Sequence, residues 1–298
     1  MKRNAIIRII LWSIVLVVLL AIFLVLIYVP GANPFARNHR AEATHIPEPI
    51  NGGSWEQASA SGNAVKVDAS QIRELEIEWV AGSIRIQPSD TEEIFFREEN
   101  ISGSGKPMQW KLRGEKLAIQ YAEDGKFSLK AGLNWEDEKK DLIIEVPSHW
   151  ECDSLEIAAA AASVEVSNIT IRTVEFEGAS GSCVFESCTV EKLDLDTASG
   201  DVRFTGSLQQ LDCDAASADI LLELINVPAS LELDTASGDL EVTLPVNAGF
   251  TVSMDTLSGD FESDFATTMR NDDYVAGDGS CRIDVDAMSG DVVIRKGQ

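Results

Sequence analysis

Beyond residue 150 the chain alternates apolar and polar positions with period two, in short bursts separated by small polar turns. Leu193 and Leu195 are followed by Ser199-Gly200-Asp201 and then by Val202 and Phe204. The same pattern returns as Leu231, Leu233, Ser237-Gly238-Asp239, Leu240, Val242, and again as Ile283, Val285, Ser289-Gly290-Asp291, Val292, Ile294. Val252 to Ser263 carries Ser258-Gly259-Asp260. Degenerate copies run from Leu211 to Leu222, Val174 to Phe185, Leu155 to Val166 and, more distantly, Leu75 to Ile86. The last turn residue falls at 163, 182, 201, 219, 239, 260 and 291, so the period is near 19–20 until a final insertion around Thr267 to Gly279. With Asn271-Asp272-Asp273 and Gly277-Asp278-Gly279, that insertion reads as a surface loop.

Period-two alternation places Leu193, Leu195, Val202 and Phe204 on one face of short strands, three to five residues each. One repeat cannot bury such a face alone, so neighbouring repeats must stack. The pattern predicts an all-β fold, a β-solenoid or β-helix-like stack; a twisted antiparallel β-sandwich is the alternative. Gly200, Gly238, Gly259 and Gly290 suit turns that need positive φ. Asp201, Asp239, Asp260 and Asp291 can accept hydrogen bonds from turn amides. Residues 151–298 form the repeat region. Residues 70–150 are β-rich but less regular, with strands expected at Ile94–Phe96, Trp110–Leu112, Leu117–Tyr121 and Asp141–Val146, and they read as an N-terminal part of the same domain that caps the stack.

The N-terminal end breaks the pattern. From Ile9 to Val29 only Ser13 is clearly polar, and 21 residues make about 31 Å of helix, enough to cross a bilayer core. The run exceeds the apolar region of a secretory signal, so residues 9–29 are expected to be an uncleaved transmembrane helix. Lys2, Arg3 and Arg8 precede it and Arg37 and Arg40 follow it, which favours a cytoplasmic segment 1–8 and an extracytoplasmic C-terminal domain. Residues 30–69, punctuated by Pro30, Pro34, Pro47 and Pro49, read as a tether. Five of the 24 basic residues lie in the first 40, which leaves 19 against 49 acidic residues in the remainder. A domain that acidic repels nucleic acid and anionic lipid and attracts cations or basic partners.

Three segments carry a resemblance: Leu75 to Gln87, Leu142 to Pro147 with Leu155 to Val166, and the Ser-Gly-Asp array. Together they resemble the bacterial putative-adhesin family, a β-strand-repeat domain of unknown function found in LiaG-like envelope proteins. The resemblance covers about three quarters of the chain. It implies an anchored envelope protein, in some cases near stress-response systems, whose partner would be another envelope protein or the cell wall.

The chemistry-bearing residues point away from catalysis. No His lies between 150 and 298, so the repeats cannot hold a Ser-His-Asp triad. His39, His45 and His149 have no recognisable nucleophile setting. Carboxylates that recur in every repeat mark a turn rather than one active site; the competing reading is a carbohydrate-active β-helix enzyme acting on an envelope glycan, which would need a one-off cluster of carboxylates and aromatics in a groove. Cys183 shares the register of Val202, and Cys213 that of Leu195 and Leu233, so both are expected in the core, as is Cys281. Asp196, Asp234 and Asp255 before the turn, with Asp201, Asp239 and Asp260 after it, would stack about 4.8 Å apart and could recruit Ca²⁺, although the spacing matches neither common calcium loop. Turn capping accounts for the second row without metal, and no cofactor is implied.

Overall fold

The computed structural model describes residues 55–57, 64–101, 107–122 and 139–297. The expected membrane helix, the cytoplasmic segment and most of the tether lie outside them. The described chain is all-β, with a single short 3-10 turn, Ala69–Gln71. In the repeats the strands pair in parallel, coil on coil: Leu193 stands beside Val174 on one side and Leu211 on the other, and Cys183 beside Val164 and Val202. Parallel pairing of successive repeats is what a solenoid requires, and it excludes the antiparallel sandwich for this region.

Several strands are longer than the expected three to five residues, while Ile220–Leu224, Leu240–Leu244 and Val292–Lys296 have five each. Glu151–Ser167 and Cys183–Ser199 each run for 17, continuing through corners and, in Glu151–Ser167, through the degenerate turn at Ala161-Ala162-Ser163. Neighbouring coils on both sides supply the backbone partners, so the chain can stay extended where an isolated hairpin would have to close on itself. Side chains alternate as the pattern predicts. Leu193, Leu195, Val202 and Phe204 are buried, as are their equivalents Leu231, Leu233, Leu240 and Val242, and all belong to one continuous core. The register Leu195–Cys213–Leu233–Val285 is continuous across four coils.

The coils do not stack in chain order. Ser230–Ser237 and Leu240–Leu244 pair with Cys281–Ser289 and Val292–Lys296, the end of the chain. The intervening coil, Phe250–Ser258 and Phe261–Ser263, lies on the far side of that C-terminal coil. The last segment of the chain therefore fills a slot between two earlier ones. The insertion expected as a surface loop is a hairpin, Thr267–Arg270 with Asp273–Ala276, which pairs antiparallel along Phe250–Val252. Asn271 and Asp272 take positive φ, 52° and 73°, as a two-residue hairpin turn demands.

The N-terminal end repeats the device. Glu74–Ser89 lies between Glu151–Ser167 and a split coil made of Lys116–Gln120 and Lys140–Pro147. Beyond the split coil the pairing turns antiparallel. Glu93–Glu99 lies on Lys140–Pro147 and Val65–Asp68 on Glu93–Glu99, while Gln109–Arg113 lies on Lys116–Gln120 and Glu56–Gln57 on Gln109–Arg113. The described strands between Glu93 and Pro147 thus cover this end of the stack, and Val65–Asp68, inside the expected tether, joins them.

A buried ion pair fastens this cap. Lys140 is 1% exposed and its Nζ meets the Glu98 carboxylate, itself 9% exposed. Nζ also donates to the Tyr121 carbonyl at 2.6 Å and lies 4.0 Å from the Tyr121 ring centroid. The Trp79 indole donates to the Lys140 carbonyl at 2.9 Å, and the Met108 amide to Glu98 Oε1 at 3.0 Å. Removing one member strands a charge out of water. Lys140→Ala is expected to cost about 3–5 kcal/mol in chemical denaturation, whereas Lys140→Met with Glu98→Gln, which keeps an acceptor for Met108, should recover more than half of that loss. Equal losses in the two variants would mean that the ion pair itself, rather than the lysine stem or relief of a stranded charge, holds the cap.

Candidate functional site

The Ser-Gly-Asp turns stack along one corner. Gly200 has φ +133° and Gly238 +144°, in the region that L side chains rarely adopt. A Cβ on Gly200 would fall 2.1 Å from the Gly181 carbonyl oxygen, and one on Gly238 1.9 Å from that of Ala218. Close approach of stacked backbones therefore requires glycine as much as the dihedral does. Gly290, φ +155°, and Gly259, which does not take the expected positive φ, lie in the same column, each with a Cβ position 2.0 Å from the next coil's carbonyl oxygen, so at Gly259 close approach alone requires glycine. In three of the four Ser-Gly-Asp repeats a threonine closes its own turn: Thr197, Thr235 and Thr256 donate to the carbonyls of Ser199, Ser237 and Ser258 at 3.0–3.2 Å, and Ala287 takes that position in the fourth. At the C-terminal half of the stack this corner forms a shallow groove of about 430 Å³, lined by Ser217, Asp219 and the Ser-Gly-Asp triplets at 237–239, 289–291 and 258–260. Every lining residue recurs from coil to coil.

The aspartates after the turn bridge coils rather than capping their own. Asp219 Oδ1 accepts from the Asp239 amide at 3.0 Å, Asp239 Oδ1 from the Asp291 amide at 2.8 Å, and Asp291 Oδ1 from the Asp260 amide at 2.8 Å. Asp239 and Asp291 thus accept a turn amide, supplied by the adjacent coil rather than by their own turn. Sequence reasoning missed this because chain order hides that 291 sits between 239 and 260. Asp239→Ala and Asp291→Ala are each expected to cost about 0.5–1.5 kcal/mol, and the double variant should depart from the sum by more than about 0.5 kcal/mol, since the two are adjacent rungs. Asp201→Ala with Asp260→Ala, four coils apart, should add. Additivity in the first pair would show that the rungs act independently.

The aspartates before the turn lie on the outer face of the sheet in two parallel rows. One runs from Glu156 through Glu175, Asp194, Asp212 and Glu232 to Asp284; the other from Glu177 through Asp196, Asp214, Asp234 and Asp286 to Asp255. Lys192, Arg282 and Lys116 pair with Asp194, Asp284 and Glu156 of the first row. Asp196 of the second row is pushed up by loss of solvation and then by Asp194. Asp214, flanked by Asp196 in its own row and by Asp212, is pushed up to about 6, again first by lost solvation and then by its neighbours' charges. Its folded pKa lies above the ordinary carboxylate value, so the fold penalises the ionised form: the penalty is absent below about pH 4 and complete above about pH 6–7. Asp214→Asn should therefore raise the melting temperature at pH 7.5 and leave it unchanged near pH 4. A variant no more stable than the parent at pH 7.5 would remove the repulsion from the account.

Among the described residues, no group of three or more His, Cys, Asp or Glu side chains is arranged to hold a metal ion. The register sets Asp196 beside Asp214, and Asp234 and Asp255 on either side of Asp286; the ladder sets Asp239 and Asp260 on either side of Asp291. Asp201 sits at the same corner, its carbonyl accepting from the Cys183 amide at 2.9 Å. All five cysteines are buried free thiols. Burial pushes Cys152, Cys213 and Cys281 up to about 12 and Cys183 higher still, so they serve as small apolar core residues.

No curated protein matches the sequence. Solved structures with a similar course of chain include a putative adhesin from Bacteroides fragilis, 14% identical over 79% of this chain and 96% of that one, with a TM-score of 0.47. A putative cell adhesion protein from Clostridium sporogenes is 11% identical over 82% of this chain and all of its own, with a TM-score of 0.40. A putative lipid binding protein from Parabacteroides distasonis is 14% identical over 80% and 98%, also with a TM-score of 0.40. The family profile described as Toastrack DUF4097 spans residues 72–295, from the first coil to the last, and the chain belongs to that family.

Proposed function

We propose that the chain is a membrane-anchored, extracytoplasmic, non-catalytic binding or scaffold module of the bacterial cell envelope. The observation that carries the reading is the uniformity of the polar surface. The groove and both carboxylate rows consist of the same residues repeated at strand spacing, which suits an extended partner that makes similar contacts along its length. A glycan-cleaving enzyme would need a cluster that occurs once, and the groove is built of serine, glycine and aspartate that all recur. The acidic surface favours a basic partner protein, and the apolar run 9–29 supplies the anchor. The envelope stress link rests on the family resemblance alone.

Two measurements test this reading. A reporter active only outside the cytoplasm, fused after Gln298, should be active; activity of a cytoplasmic-only reporter instead would reverse the topology. Cross-linking in cells from a photoreactive residue at Glu232, in the carboxylate rows, should capture a discrete envelope protein. Glycan fragments released by the purified chain would replace the module with an enzyme.

A further inference from the structure

We infer that the coil Phe250–Ser263 is a docking edge that accepts an extended, basic strand of a partner protein. This inference rests on the binding-module reading and gives it a place and a chemistry.

The two ends of the stack are finished differently. At the N-terminal end antiparallel strands cover the outermost coil, and Ile94, Phe96 and Leu117 are fully buried. At the other end the hairpin pairs with Phe250–Val252 alone, and its Tyr274 ring stacks on Phe261 at 4.2 Å. From Ser253 to Ser263 the outermost coil has a strand on one side only, Cys281–Ser289 and Val292–Lys296. The core is open there. Val285 and Val292 are 3% and 0% exposed, yet their register mates Met254 and Phe261 are half-buried. Leu257, 66% exposed, and Met288, 47% exposed, stand side by side on the last two strands.

The backbone along this edge is a template. Cys281, which pairs with Phe250, donates to the Gly249 carbonyl. In a parallel ladder that directs the odd positions of Phe250–Ser258 toward the covered side, and Met254 and Thr256 turn their N–H and C=O groups outward. No strand lies beyond them among the described residues. A repeat stack needs its last coil covered, and an uncovered strand edge pairs with whatever strand fits.

Charge selects the occupant. Asp255 and Asp260 lie along the edge, with Glu262 beside them already paired to Arg295 at 3.2 Å, and the second carboxylate row ends at Asp255. A second copy docking edge to edge would set these carboxylates against their own equivalents. A strand that alternates basic with apolar residues would place cations against them and apolar side chains over Met254 and Leu257, the strand-addition mode of recognition.

The probe is a blocked peptide of about seven residues alternating Lys and Val, labelled for fluorescence anisotropy, added to the full chain in neutral detergent micelles. It should bind, weaken as salt rises, and outcompete a Glu-Val twin. Thr256→Pro removes one outward N–H and should weaken binding by about tenfold or more, while Thr256→Ala, which keeps it, should change binding by less than about twofold. Because proline could disturb the neighbouring turn, hydrogen exchange on the parent chain gives a second readout: residues 253–263 should gain protection on addition of the peptide. Equal binding to Thr256→Pro and the parent, with no protection gained, would place the peptide elsewhere and overturn the inference. So would equal binding of the Glu-Val peptide, concentration-dependent dimerisation that Thr256→Pro abolishes, or no binding at low salt. Failure here leaves the module reading to its own cross-linking test.

Discussion

A chain that stops after Ser280 is expected to lose two coils rather than one. The deleted segment carries Ile283, Val285, Val292 and Ile294, all buried, and among the described residues Phe250–Ser263 has no other parallel neighbour. Phe250 and Val252 would lose their core contacts with it. Six such side chains contribute about 9–18 kcal/mol of burial at about 1.5–3 kcal/mol each, comparable to a typical net stability of about 5–15 kcal/mol. In a stack built in chain order, removing the last repeat frays one end. Here it should abolish cooperative unfolding of the C-terminal half, read as a collapse of the denaturant slope and loss of amide protection from 230 to 263. Protection persisting in Phe250–Ser258 after the truncation would show that this coil can dock directly on Ser230–Ser237, and that the slot is optional.

Leu233→Asp should have an effect of similar size from a single atom group. Leu233 is 1% exposed between Cys213 and Val285, in the middle of the stack. The change opens a cavity and places a charge with no partner in the core, at a cost of more than about 4 kcal/mol. Glu232→Lys, one residue away on the outer face between Asp212 and Asp284, should shift stability by less than about 1 kcal/mol and could raise it by relieving repulsion. Similar melting temperatures for the two variants would contradict the inward–outward assignment of the whole face.

That assignment was legible in the sequence because it depends only on period-two alternation, which is local. The same holds for the core placement of Cys183, Cys213 and Cys281, and for the strands at Glu93–Glu99, Gln109–Arg113, Lys116–Gln120 and Lys140–Pro147. The order of the coils was not legible. Ile283 resembles Leu231 and Val252 equally well, so alternation gives each coil a face but not a neighbour. The Asp239–Asp291–Asp260 ladder was hidden for the same reason. The Lys140–Glu98 pair was missed because its members are 42 residues apart, on strands whose antiparallel pairing no repeat announces. Strand length was misjudged because a short apolar burst marks where side chains are buried, while the ladder continues wherever a neighbouring backbone is present.

The slot filled by the end of the chain also sets a timetable. A ribosome releases residues in order, so Phe250–Ser263 emerges before Cys281–Lys296, its parallel neighbour among the described residues. Glu74–Ser89 likewise waits for Lys116–Gln120, Lys140–Pro147 and Glu151–Ser167. Most of the sheet can zip up during synthesis, but the slot beside Phe250–Ser263 is filled only once Cys281–Lys296 has been made. Until then an apolar strand stands uncovered, and the protein depends on whatever shields nascent strands in its compartment.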